Sequence, residues 1–443
     1  MPTHLEPSRQ TPVVESVDVL VAGGGPAGIA AALAAARGGA SVRLIETQGC
    51  LGGIWTAGLL GWLLDSGNKP GLLREILDRL RERGARQDRQ YGGYAVDPEA
   101  LKLLLEDLLT EAGVRIRLHT RVVAAARDAG NRLSVVVTES KSGREAWTAK
   151  TFVDASGDGD LAWQAGCGFD YGREGDGAFQ PMSLIALLCG VERHQIEDYV
   201  HTNGKDHRSD TRKLLALLAA NGHECSYGAP IIMWIHDNLF AMMANHEYLK
   251  SGLDAQAITD ATLAARRDVT AVVEALRRAG GPWKDLRLAA TGAQIGVREG
   301  RRIHGRYTVS DQDLIDGARH DDAVCRCTFG VDVHSPDPRK SKGFDHGPIR
   351  AKPYDIPLRA CIARDVDGLL MAGRCISGSF TAHSSYRVTG DAAALGQAAG
   401  ACAALAATTD RLPHEVPFGE VRIALDRLAE RFPPLEVPAG SVP

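Results

Sequence analysis

The polar N-terminal residues give way to a nearly continuous apolar run, Val17, Val19, Leu20 and Val21, which stops at three successive glycines. An apolar run this short, bounded by glycine, predicts a strand buried on both faces. After Pro26, residues 29–37 are alanine-rich with helical spacing, and residues 41–45 form a second strand-like run that ends on Glu46. Strand, loop, helix and strand in this order predict a parallel βαβ unit. Farther along, the pattern predicts a helix over 72–83 and another that enters at Asp97, with Pro98 in its first turn, and runs to 112. Strand-like runs at 114–118, 121–125, 133–138 and 150–153 predict a small antiparallel excursion that returns to the parallel sheet. Beyond 168 the periodicity weakens until a helix over 255–278, and a further helix is expected around 290–306. Residues 368–373 read as a buried parallel strand ending on Gly373. The alanine-rich stretch 388–407 is the helix after it, and a helix over 421–431 precedes a proline-containing tail. Residues 1–15 are expected to be a disordered lead-in.

The glycines carry the first chemistry. In Gly23-Gly24-Gly25-Pro26-Ala27-Gly28 the first, third and sixth residues have the GxGxxG spacing. The first glycine allows a tight turn, the second lets backbone approach a pyrophosphate, and the third lets helix and strand pack closely. The helix N-terminus, with its unpaired N–H groups, then holds the pyrophosphate. Glu46 is placed to accept both hydroxyls of an adenosine ribose and to disfavour a 2′-phosphate. The segment therefore predicts a dinucleotide site.

Composition narrows the class. A chain of 443 residues suits two or three intertwined domains. A formal charge of −4 and the lack of a long basic block argue against nucleic-acid binding. No run of eighteen apolar residues and no signal or transit segment is visible, so a cytoplasmic protein away from membranes is expected. The nine cysteines are odd in number and include no CxxC pair, which suits reduced, mostly buried thiols.

The motifs Leu51-Gly52-Gly53, 153–160 (VDASGDGD), 296–302 (GVREGRR), 372–377 (AGRCIS), Arg387-Val388 and 396–400 (GQAAG) follow the glycine loop in order along nearly the whole chain. In these the chain resembles a family of bacterial FAD-dependent oxidoreductases within the glutathione-reductase-like superfamily. The resemblance implies an α/β fold: a discontinuous Rossmann-type FAD-binding domain with an inserted α+β substrate domain. The boundaries expected are 16–167 and 356–410 for the FAD-binding parts, 168–355 for the insertion, and 411–443 for a C-terminal helix and tail. It also implies FAD held by Gly23, Gly25, Pro26, Ala27, Gly28, Glu46, Gly52, Gly53, Val122, Ser156, Gly157, Asp158, Gly373, Arg374, Val388 and Gly390. Where many relatives in the superfamily carry an aspartate after the strand glycine, this chain has Arg374. A more distant similarity, to fumarate reductase and succinate dehydrogenase flavoproteins, rests on the spacing of His383 and Arg387.

Flavin chemistry needs an acid or base and a substrate anchor beside the ring. His383 is expected to move the proton, Arg387 to orient the substrate, and His246 to line the pocket from the insertion. The cluster Arg298, Glu299, Arg301 and Arg302 reads as an ion-pair network locking the insertion to the cofactor domain. Cys50 is expected to pack in its loop, and Trp55 stands where a disulfide reductase would need its second cysteine. No metal site is expected. The function expected is an FAD-dependent dehydrogenase or oxidase that transfers hydride between a small organic substrate and flavin N5. The alternatives are an aromatic-type monooxygenase using transiently docked NAD(P)H, or a non-catalytic flavin-binding subunit; a homodimer is compatible with either.

Overall fold

The computed structural model describes residues 3–88, 93–201, 207–345 and 347–434. The proline-containing tail from 435 lies outside the described residues. The first strand, β1 (Val13–Ala22), is longer than its apolar core, because Val13 and Glu15 already pair with the strand beside it. The sequence expectation of a lead-in through residue 15 is therefore corrected at its last residues. A seven-stranded sheet forms around β1 with β2 (Val42–Ile45), β3 (Arg115–Arg117), β4 (Arg121–Arg127), β5 (Leu133–Ser140), β6 (Gly143–Asp154) and β7 (Leu369–Met371). Its order is β3-β2-β1-β6-β5-β4, and β7 joins the last residues of β6. The β1, β2, β3, β6 and β7 pairings are parallel, whereas β4, β5 and the first half of β6 form the antiparallel excursion.

Side chains explain the alternation. Val19, Leu20 and Val21 are fully buried, as befits a strand covered on both faces. β4, which pairs with only one neighbour, shows no fully buried residue. The helix Pro26–Arg37 follows the glycine loop with Pro26 in its first turn and packs its alanines against the long helix Thr389–Thr408. That contact is backbone-close. A Cβ on Gly396 would run into the carbonyl of Ala27, and one on Gly400 into the carbonyl of Ala31. At the N-terminus of the long helix, Gly390 lies equally close to the carbonyls of Leu64 and Asp65. The next residue, Asp391, is 2.9 Å from the Lys69 ammonium, which also meets Asp65 at 3.1 Å. Asp65, Cys327 and Asp391 have the spacing of a metal-ligand group, but the cation they surround is this ammonium.

The chain between the two halves builds a five-stranded sheet from Ala186–Cys189, Val200–His201, Ile231–His236, Leu239–Met243 and Arg287–Thr291. The helix Ala255–Arg278 packs on one face of it through Val269, Val272 and Leu276. The helix expected around 290–306 is absent. Residues Arg287–Thr291 are an edge strand, and the backbone then runs extended, with Gly296 exchanging hydrogen bonds of 2.8 and 3.1 Å with Ser183. Gly292, Gly296 and Gly300 disfavour a helix there, and a Cβ on Gly300 would enter the Asp158 carboxylate.

Replacing Gly400 with alanine should cost about 1–3 kcal/mol through overpacking, read as a lower midpoint of chemical denaturation. Gly419→Ala, in the helix Phe418–Arg431 where a Cβ meets nothing within 4 Å, is the control and should leave stability unchanged or raise it by up to about 1 kcal/mol.

Candidate functional site

A single cavity of about 790 Å³ opens between the parallel sheet, the two alanine-rich helices and the inserted sheet. One wall is the glycine loop. Gly23 adopts φ +104° and any side chain there would strike Ala155, whereas a Cβ on Gly25 would meet nothing within 4 Å. Gly25 is thus the residue whose missing side chain leaves space in the cradle. Pro26 and Ala27 line the cavity beside it, and the helix they begin has no side-chain cap. Its first N–H groups are therefore free for an anion. Gly28 serves packing instead: its Cβ would collide with the carbonyl of Gly23.

Glu46 closes one end. Its carboxylate accepts the Gly24 N–H at 2.5 Å and the Gln48 N–H at 2.6 Å, so the residue fixes the loop as well as facing the cavity. Burial pushes its carboxyl above the usual range, and these N–H groups oppose the shift. Thr120, Arg121 and Val122 complete that end.

The middle is built by the ends of β6 and β7. Buried Asp154 accepts from Ser156 N–H and Oγ at 3.0 and 2.7 Å and from Ala162 N–H at 2.8 Å, folding residues 155–160 into a tight turn. Ser156, Gly157 and Asp158 present that turn to the cavity, which Gly53, Gly373 and Arg374 also line. Arg374 holds Asp158 at 2.6 Å and donates to the carbonyls of Gly157 and Val297, tying the turn to the inserted region. Burial nevertheless raises the Asp158 carboxyl to about 6. Val388 lines the cavity as the uncapped N-terminal residue of the long helix. Gly52 and Gly390 stand behind the wall: Gly52 begins the short turn Gly53–Trp55 with φ +101°, and Gly390 makes the close approach to Leu64 and Asp65.

At the far end, four residues that converge on the cavity come from three separate segments. Arg387 and Arg298 line it together with Asp332 and His334. Arg387 Nη2 meets Asp332 Oδ2 at 3.1 Å and the Asp332 carbonyl at 2.8 Å. His334 Nε2 is 3.4 Å from the same carboxylate, long for a hydrogen bond, and its Nδ1 is 3.0 Å from His246 Nε2. His246 Nδ1 reaches the Tyr248 hydroxyl at 3.1 Å, and the Tyr227 ring lies 4.0 Å from the His246 ring. Desolvation, and next the Arg298 cation, hold the His334 imidazolium down to about 4; burial and Arg298 push His246 lower still. Burial opposes it, but the neighbouring His334 and the Arg387 and Arg298 guanidiniums hold the Asp332 carboxyl well below its usual range. Both imidazoles are neutral at pH 7. The one hydrogen of the Tyr248 hydroxyl goes to the carbonyl of Ser226 or Lys342, each at 3.0 Å, so His246 Nδ1 donates to Tyr248, His246 Nε2 accepts from His334 Nδ1–H, and His334 Nε2 keeps a lone pair beside Asp332.

His383 is elsewhere. It is fully buried in the short helix Phe380–Tyr386, away from the cavity wall, with Nδ1 4.0 Å from Glu299. Burial, and then Arg302, depress its imidazolium far below the ordinary value. Four-residue spacing would put both on one helix face, but Arg387 stands just past the helix end and lines the cavity while His383 stays in the core. His246 is also behind the wall, one imidazole removed from it. The basic cluster divides similarly: Arg301 pairs with Asp160 at 2.9 Å and Arg302 with Glu299 at 2.5 Å, whereas Arg298 has no carboxylate within 4 Å among the described residues. Cys50 is half-buried, 3.9 Å from the Thr56 hydroxyl, and not on the wall. Asp332 and His334 escaped the sequence reading because they occupy an irregular segment; the Asp-x-His spacing is their one local signal.

The chain matches the family described as FAD dependent oxidoreductase over residues 18–425. No curated protein sequence matches it. Among solved structures, a flavin-dependent brominase is 14% identical, covers 93% of this chain and 83% of its own, and has a TM-score of 0.50, which shows a shared fold. A geranylgeranyl bacteriochlorophyll reductase-like protein from Thermoplasma acidophilum is 13% identical over 94% of this chain and 84% of its own, with a TM-score of 0.47. The p-nitrophenol 4-monooxygenase of Pseudomonas putida is 12% identical over 94% and 86%, with a TM-score of 0.46. No helix among the described residues is long and apolar enough to cross a membrane.

The neutral state of His334 has a stability consequence. The imidazole titrates near 6.5 outside the fold and at about 4 within it, so the folded protein binds fewer protons between those values. Its share of stability is intact above pH 6.5 and is lost as pH falls toward 4 and below. Denaturation midpoints at pH 7.5 and 4.5 should differ less in His334→Gln than in the native chain. An equal difference in both would contradict a neutral, buried His334.

Proposed function

Because the chain belongs to the FAD-dependent oxidoreductase family, we propose that it oxidises or reduces a small organic substrate held at the Arg298, Arg387, Asp332 and His334 end of the cavity. The observation that carries this reading is the continuity of one cavity from Glu46 and the glycine loop to the Asp332–His334 pair. The residues fit FAD: the open space at Gly25, the two uncapped helix N-termini and Glu46 suit its pyrophosphate, ribose and ring. Bound FAD supplies the two-electron chemistry that no side chain here can.

His334 takes the proton-handling role first expected of His383. Its Nε2 is only loosely engaged by Asp332, which leaves that nitrogen for a substrate atom. Nδ1 is fixed by His246, which acts through His334 as a positioning residue. Asp332, 3.4 Å away, balances the charge that appears when the imidazole takes up a proton. Arg387 holds Asp332 in turn and keeps a guanidinium on the wall.

The test is anaerobic bleaching of flavin absorbance in the purified FAD-loaded protein with a panel of small alcohols, amines and acids, and with NADPH. Bleaching by a member of the organic panel is expected. Bleaching by NADPH alone would replace this reading with the monooxygenase alternative. With a bleaching substrate, His334→Gln should slow the reaction by about 10²-fold or more at unchanged FAD content, and an unchanged rate would remove His334 from the proton step.

A further inference from the structure

Among the buried and half-buried guanidiniums of the cavity wall, one lacks a counter-ion. Arg301, Arg374 and Arg387 each have a carboxylate, Asp160, Asp158 and Asp332 respectively. Arg298 has none within 4 Å among the described residues, although it is more than nine-tenths buried. Its Nη1 donates to the Pro181 carbonyl at 2.7 Å and to Ser183 Oγ at 2.9 Å, which fixes the guanidinium plane. Its Nη2 has only the Met243 sulfur at 3.6 Å, a weak acceptor. Among the described residues Nε has no acceptor, so Nε and Nη2 are left for a ligand. A buried cation without a counter-ion is costly, and a guanidinium fixed on one edge offers N–H groups in the fork that a carboxylate accepts in pairs.

The surroundings describe the rest of the ligand. Met243 belongs to an apolar cluster with Ile185, Leu60 and Trp62, all of which face the same cavity. We propose that Arg298 is the anchor for a carboxylate and that the substrate is a small carboxylic acid with an apolar body. This rests on the functional reading above, since it names the class of molecule held at that site. It also couples binding to proton transfer. Arg298 is one of the groups that depress the His334 imidazolium, and a carboxylate that neutralises Arg298 raises the basicity of His334 as the substrate arrives.

Binding is measured on the FAD-loaded protein without turnover, by calorimetry and by the difference spectrum of the bound flavin. The probes are benzoate and hexanoate, their neutral counterparts benzamide and hexanamide, and inorganic phosphate. Benzoate or hexanoate should bind at least tenfold more tightly than its amide. Arg298→Gln should raise the carboxylate Kd tenfold or more, and Arg298→Lys, which keeps the charge and loses the fork, should fall between the two. Should Arg298→Gln fold poorly, judged by FAD content and Tm, the Arg298→Lys comparison and the acid–amide ratio in the native chain decide. Equal binding of acid and amide, carboxylate binding unchanged in Arg298→Gln, or binding of phosphate alone would each overturn the assignment. Because no turnover is involved, carboxylate binding without flavin bleaching by any substrate would sink the redox reading and leave the anchor standing.

Discussion

The close approach of the helix Pro26–Arg37 to the long helix Thr389–Thr408 is the contact on which the rest of the site depends. Gly396 and Gly400 lie one helical turn apart and set the long helix directly on the carbonyls of Ala27 and Ala31. Side chains of any size at these positions would hold the helices apart. With the gap closed, the N-terminus of the long helix and the strand β7 reach the glycine loop from several hundred residues away in sequence. Gly373 and Arg374 then lie beside Ser156 and Gly157 on the cavity wall, with Arg374 donating to the Gly157 carbonyl. Gly390 and the Lys69–Asp391 pair fix the same helix at its N-terminal end against residues 64–65.

Charge is then distributed with a purpose that pairing reveals. Arg374 fastens the turn after β6, Arg301 fastens Asp160 and stacks 4.6 Å from the Trp163 ring, and Arg302 with Glu299 lies in the core beside His383. These are structural uses of guanidinium, each with a carboxylate to offset burial. Arg298 breaks the rule within the same short motif, and it does so where the wall meets the inserted sheet. The inserted sheet also brings the apolar cluster around Met243 and Ile185. The glycine loop and the inserted sheet, different stretches of chain, thereby share one wall.

The neutral imidazole pair His246–His334 illustrates why burial rather than residue type decides a role. Three histidines, His246, His334 and His383, are buried among arginines and depressed in pKa. Of the three, His334 alone lines the cavity, with Asp332 at 3.4 Å, whereas Glu299 lies 4.0 Å from His383 in the core. His246 sets its orientation, and His383 packs edge-on against Tyr386 at 5.6 Å in the core.

The sequence alone determined the dinucleotide loop, the acid that ends β2, the sheet-forming runs and the helix that returns to the loop. All of these follow from local rules: glycine where backbone must approach backbone, continuous apolar runs where a strand is covered twice, and alanine where helices touch. It also marked the wall at Gly25, Ser156, Gly373, Arg374 and Arg387, because strand ends and helix starts face the same edge of a parallel sheet. It misjudged residues 290–306, where regularly spaced glycines serve backbone contacts with Ser183 and Asp158 rather than a helix. The tertiary structure alone decided which histidine faces the cavity and which buried arginine of its wall lacks a carboxylate. Those properties depend on Asp332, His334 and Ser183, which come from irregular segments far apart in the chain, and no periodicity in the sequence records their meeting.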